Sequence, residues 1–194
     1  MDSRLYLIVA AREDLGQLLE AAVAGGVDMV QVREKELADG ELLRRLQSAR
    51  ELTRRLGVPL VVNDRPDLAL LCEADFVHLG QDDLPVAAGR RLGLRVGQST
   101  HAEAEIDAAA GDYFAVGPVY ATPTKAGRPA VGLELVRYAA RRARKPWFAI
   151  GGIDASNARD VVAAGATRVA VVRAICDAPD PERATAELRA VLPG

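Results

Sequence analysis

The chain is poor in what several protein classes require. It has two cysteines, Cys72 and Cys176, each in or beside an apolar segment, too few for a disulfide-stapled secreted scaffold and better read as small buried thiols in a reducing compartment. It has two histidines, His78 and His101, and no His or Cys spacing that would suit zinc. Neither histidine belongs to a nucleophile–base–orienter pattern. No apolar run approaches the ~18 residues of a membrane span, and the start MDSRLYLIVA lacks a basic-then-apolar leader. A formal charge of −2 gives no global basic field for nucleic acid or a membrane surface. No GxGxxG follows the first apolar run; AAREDLG stands there instead, which argues against a doubly wound dinucleotide-binding sheet. A cytoplasmic protein without nucleic-acid or membrane partners is expected.

What is present is a repeated rhythm. With 49% hydrophobic residues over 194 positions, the chain can bury one good core, and a single domain over residues 1–194 is expected. Short apolar runs fall at 5–10, 28–32, 60–63, 76–79, 94–97, 113–117, 147–150 and 168–172. Helical patterns lie between them, most clearly over 39–56, where Leu42, Leu43, Leu46, Ala49, Leu52 and Leu56 recur at helical spacing. Asp39 reads as the N-cap of that helix, and Gly57 followed by Pro59 as its end. Thr100-His101-Ala102-Glu103 has the form of a capping box, which would put His101 in a first helical turn, and Asp180-Pro181 that of an N-cap with a first-turn proline. Eight strands, each followed by a helix, several of them apolar almost throughout, predict an α/β fold of the (β/α)₈ TIM-barrel type with short loops. The exception is the stretch 119–132, VYATPTKAGRPAVG, which has no apolar periodicity and reads as a lid or an anion clamp.

In such a barrel the chemistry sits at the C-terminal ends of the strands. The second strand delivers Gln31, Arg33 and Lys35 to one side, a set suited to an anionic ligand, with a solvated charged edge as the plain alternative. Asn63 and Asp64 follow the third strand and Asp83 follows the fourth. Two carboxylates on adjacent strands suit Mg²⁺, and capping of the next helix is the competing role of each, since Asp64 precedes Pro66 and Asp83 precedes Pro85. Ser99 ends the fifth strand; Thr122, Thr124 and Lys125 lie in the long loop; Gly151-Gly152 end the seventh and Arg173 the eighth, the usual place of a barrel phosphate site. His78, on an apolar strand, reads as a core residue. With many anion-binding groups and no evident base, departure of a pyrophosphate fits better than proton abstraction.

Taken in order, Gln31-Val32-Arg33-Glu34-Lys35, Asn63-Asp64-Arg65, His78-Leu79-Gly80-Gln81-Asp82-Asp83, Ser99-Thr100-His101, Gly117-Pro118 with Thr122-Pro123-Thr124-Lys125, and Ala149-Ile150-Gly151-Gly152-Ile153 resemble the thiamine phosphate synthase family. The resemblance implies a transferase that joins 4-amino-2-methyl-5-hydroxymethylpyrimidine diphosphate to a thiazole phosphate, giving thiamine phosphate and pyrophosphate by a dissociative, Mg²⁺-assisted route. It implies that Gln31, Arg33, Glu34, Lys35, Asn63, Ser99 and Lys125 bind the pyrimidine diphosphate, with Arg33, Lys35, Ser99 and Lys125 catalytic. Asp64 and Asp83 would bind Mg²⁺, and Thr122, Pro123, Thr124, Gly152, Val172 and Arg173 the thiazole phosphate. A homodimer is implied as well. Two positions depart from the pattern: Arg173 replaces the usual Ser, able to clamp the phosphate, crowd it or pair with Asp177, and Gln98 stands where an apolar residue is commoner. Two alternatives go with this reading. A thiazole tautomerase on the same barrel would carry a catalytic His where Pro118 stands, and a precursor-binding protein without turnover would bind ligand without Mg²⁺-dependent product.

Overall fold

Along β1 (Leu5–Val9), Leu5, Leu7 and Val9 join one apolar cluster and Tyr6 and Ile8 another, as a period-2 strand buried on both faces requires. In the computed structural model, which describes residues 1–122 and 129–193, seven more strands follow, and all but Arg95–Thr100 divide between the same two clusters. They are β2 (Met29–Val32), β3 (Leu60–Asn63), β4 (Phe76–Leu79), β5 (Arg95–Thr100), β6 (Tyr113–Val116), β7 (Trp147–Ile150) and β8 (Val169–Val171). All pair in parallel in sequence order, and β8 closes onto β1 with Leu5 beside Val169, so the fold is a (β/α)₈ barrel.

Around it lie α1 (Leu15–Ala24), α2 (Asp39–Leu56), α3 (Pro66–Leu71), α4 (Val86–Arg91), α5 (Glu103–Asp107), α6 (Gly132–Arg142), α7 (Ala158–Ala163), α8 (Arg173–Cys176) and α9 (Pro181–Arg189). Leu42, Leu46, Ala49 and Leu52 of α2 face the outside of the sheet, the stripe anticipated from their spacing. Gly57 ends α2 in the left-handed region, φ 72°, with its N–H returning to Arg54 O. Asp180 caps α9 by accepting from the Arg183 N–H at 3.0 Å. Among the described residues no helix is long and apolar enough to cross a membrane, and both cysteines are free thiols.

Several local expectations fail. Asp39 is the first residue of α2 rather than its cap; Ala38 holds the cap position and Asp39 pairs with Arg65 at 2.7 Å. The capping box does not form either. Thr100 still belongs to β5 and donates to Ala115 O at 3.0 Å. His101 therefore precedes α5 rather than entering it, and Glu105, not Glu103, reaches back to the His101 N–H at 2.6 Å. In each case strand pairing or an arginine outcompetes a local cap.

The interior of the barrel is closed at its N-terminal end. Tyr6, Phe76, Tyr113 and Phe148 pack edge-to-face with centroids 5.2–6.0 Å apart, and all four are buried. The Arg95 guanidinium lies 4.1 Å from the centre of the Phe76 ring. Gln98 is also explained: its Oε1 accepts from the N–H groups of Ala110 (3.1 Å) and Gly111 (3.4 Å), tying β5 to the turn before β6.

Candidate active site

Above that aromatic floor, a cavity of about 600 Å³ opens at the C-terminal ends of the strands. Inward-facing Tyr6, Ile8, Gln31, Asn63, His78, Ser99, Ala115, Ile150 and Ala170 form its walls, and the residues after the strands form its rim. Gln31, Arg33 and Lys35 all line it, Gln31 from an inward position of β2 and the other two from the segment after its end at Val32; Gln31 is buried and Lys35 is exposed at the rim. Glu34 points the other way: its carboxylate accepts from the Lys35 N–H (2.8 Å) and the Glu36 N–H (2.9 Å), bracing the loop that carries Lys35. Those backbone donors, the Glu36 N–H foremost, hold its pKa below the ordinary carboxylate range.

The two aspartates meet at the rim, and neither caps a helix. Arg65 holds the cap position of α3 and Pro85 that of α4, each without a side-chain cap bond. Asp64 takes the left-handed conformation, φ 60°, which Asp tolerates better than most residues, and its own N–H goes to His78 O at 2.9 Å. Asp83 accepts from the Gly80 N–H at 2.7 Å. Their carboxyl groups hydrogen-bond to each other, and Lys35 Nζ lies 3.0 Å from Asp64. Burial disfavours the Asp64 anion, but the Asp83 and Lys35 hydrogen bonds and the Arg33 charge outweigh it and hold its pKa down. Burial and the facing Asp64 carboxylate push Asp83 up. The two facing carboxyl groups thus shift each other in opposite directions. Hard oxygen donors from adjacent strands, facing a cavity with room for water and phosphate oxygens, fit Mg²⁺ as far as two ligands can; among the described residues no third His, Cys, Asp or Glu joins them.

Asn63 supplies the clearest sign of a missing partner. It is 8% exposed, lines the cavity, and its Nδ2 has no hydrogen-bond partner among the described residues. A buried amide left so costs about 1–3 kcal/mol, which a ligand acceptor would recover. Across the cavity, Thr122, Gly151, Gly152, Val172 and Arg173 all line the wall. Gly151 (φ 103°) and Gly152 (φ 64°) need their left-handed backbone, and a Cβ on Gly152 would lie 2.7 Å from Tyr120 Cβ. Arg173 is exposed and forms no ion pair with Asp177 among the described residues. Pro123, Thr124 and Lys125, and with them the centre of the anticipated lid, lie outside the described residues.

Tyr6, Ile8, Gln81 and His101 also line the cavity, the last two with no sequence signal that marks them for it, and so does His78, whose strand reads as core. Tyr6 and Ile8 share inward parity on β1 and could have been found from it. His78 is both: it is 7% exposed, lies in the barrel interior, and forms part of the cavity wall.

The fold is a (β/α)₈ barrel whose open mouth gathers cations, amides and paired carboxylates. The family model for thiamine monophosphate synthase matches residues 5–175. A thiamine-phosphate synthase of Acidothermus cellulolyticus is 52% identical over 98% of this chain and 95% of its own length. One from Thermus thermophilus is 52% identical over 100% of this chain and 99% of its own. The solved thiamine phosphate pyrophosphorylase of Pyrococcus furiosus superposes with a TM-score of 0.88 at 32% identity, covering 97% of this chain and 94% of that one. The chain belongs to the thiamine monophosphate synthase family, a family of transferases in thiamine biosynthesis.

Proposed function

We propose that the chain condenses 4-amino-2-methyl-5-hydroxymethylpyrimidine diphosphate with a thiazole phosphate to give thiamine phosphate and pyrophosphate. The observation that carries this reading is the convergence of Arg33, Lys35, Asp64 and Asp83 with the unpartnered Asn63 amide on one cavity. Gln31 and Asn63 would orient the pyrimidine on the floor, and Ser99 would donate to its diphosphate. Arg33 and Lys35, with Lys125, would hold the diphosphate, and Glu34 keeps the Lys35 backbone in place. Asp64 and Asp83 would hold Mg²⁺, which when bound offsets charge on the departing pyrophosphate. Thr122, Pro123, Thr124, Gly152, Val172 and Arg173 would bind the thiazole phosphate on the opposite wall.

In this scheme the side chains move no proton during bond cleavage. They align the C–O bond of the diphosphate with the thiazole nitrogen, and their fixed charges stabilise the charge that builds on the leaving group. The closed aromatic floor keeps water from below away from the short-lived pyrimidine methylene cation. The test is a thiamine phosphate assay with both substrates, with and without Mg²⁺, on wild type and Asp64→Asn. Mg²⁺-dependent product that the variant fails to make is the expected result; no product from folded wild type would overturn the proposal.

A further inference from the structure

Five polar side chains form one continuous hydrogen-bonded chain across the cavity floor. Gln31 Nε2–H donates to the Tyr6 hydroxyl. The Tyr6 and Tyr113 hydroxyls lie 2.9 Å apart, the Tyr113 hydroxyl lies 3.0 Å from His78 Nδ1, and His78 Nε2 lies 3.0 Å from Ser99 Oγ. The route passes from β2 through β1, β6 and β4 to β5. Both of its ends, Gln31 and Ser99, line the cavity, and all five residues are buried.

A chain of this kind has a sense, because each hydroxyl has one proton to give. With Gln31 donating to Tyr6, the arrangement that gives every hydroxyl proton a partner within the chain sends the Tyr6 proton to Tyr113 and the Tyr113 proton to His78 Nδ1. That nitrogen must then be bare. His78 accordingly carries its proton on Nε2 and donates to Ser99 Oγ. The Ser99 proton and Gln31 Oε1 are left over, and among the described residues neither has another partner. Complete burial pushes both phenol pKa values up, so each keeps the proton the scheme requires.

The sheet makes room for the hub. Gly97 is in register with His78 on one side and Tyr113 on the other. A Cβ there would lie 2.2 Å from Tyr113 Cζ and 2.4 Å from its hydroxyl, so a bare position on β5 lets the two polar rings meet.

We infer that Tyr113 is a positioning residue: it fixes the His78 tautomer, and through it the floor presents Ser99 as a hydrogen-bond donor and Gln31 as an acceptor to the ligand. The floor therefore selects a ligand with an N–H group above Gln31 and an anionic or carbonyl oxygen above Ser99. Resting on the proposed function, these are the amino group and a diphosphate oxygen of the pyrimidine substrate.

The test joins ¹⁵N NMR of the histidine rings to a kinetic cycle. The chain has only two histidines, so His101→Gln assigns the His78 signals. Wild type is expected to show the Nε2–H tautomer at His78 and Tyr113→Phe to lose that single tautomer. Tyr113→Phe should lower kcat/KM about tenfold in an otherwise wild-type chain, the scale of one lost hydrogen bond. In a Ser99→Ala background it should change kcat/KM less than about twofold, because the two act through one chain. An Nδ1–H tautomer in wild type would overturn the inference, as would an equal penalty in both backgrounds. The wild-type tautomer decides the matter even if Tyr113→Phe fails to fold. An Nε2–H tautomer in a folded protein that makes no thiamine phosphate would uphold the relay and sink the reaction.

Discussion

Gly97 and Tyr113 face each other across the β5–β6 ladder, and the Tyr113 ring fills the volume that any side chain at 97 would need. Both belong to a fully buried interior layer, so the clash cannot be relieved toward solvent. Gly97→Ala should cost about 1–3 kcal/mol by urea unfolding, the usual penalty of overpacking a core. Equal stability of the variant and wild type would mean that the ring has room to move.

Asp64 offers a way to separate backbone from charge. Its φ of 60° is tolerated by Asn at least as well as by Asp, and less well by Ala. Asp64→Asn and Asp64→Ala should both lose Mg²⁺-dependent turnover, whereas Ala alone should lower the melting temperature, by the equivalent of about 1 kcal/mol. Full activity in Asp64→Asn would remove this carboxylate from the metal site.

Arg173 is exposed on the wall that carries Gly151 and Gly152. If it clamps the thiazole phosphate, Arg173→Ser should raise the KM for that substrate about tenfold with little change in kcat, as a charge-assisted hydrogen bond made equally in ground and transition states would. An unchanged KM would refute the clamp.

Cys176 gives a pH dependence with a definite sign. Burial pushes its pKa up to about 11. At pH 8 the thiolate fraction should then be about one in a thousand, and alkylation of native protein should be slow until the pH nears that value. The folded state holds the proton more tightly than the unfolded chain, so this thiol lowers stability as pH rises from about 8.5, where an ordinary thiol titrates, toward about 11. Rapid labelling of both cysteines in native protein at pH 8 would contradict this.

Much of the site was legible because barrel strands translate parity into direction. Gln31 faces the interior from β2 and the chain leaves that strand at the mouth, where Arg33 and Lys35 also line the cavity; Asp64 and Asp83 follow two neighbouring strands, β3 and β4. Local caps were misread where a longer-range partner won, as with Thr100, held by β6, and Asp39, held by Arg65. The floor was out of reach for a different reason. Tyr6 and Tyr113 are 107 positions apart and meet only because the barrel closes, so no spacing in the chain announces their contact. Gln98 likewise made sense only once the turn at Ala110 and Gly111 was folded against it.

The aromatic plug formed by Tyr6, Phe76, Tyr113 and Phe148 turns the barrel from a tube into a cup. A cup has one door. Ligands that share it cannot arrive from opposite sides, so every one must come and go past the residues at the strand ends. The direction of traffic is thus written into four rings at the far end of the fold, none of which carries a charge.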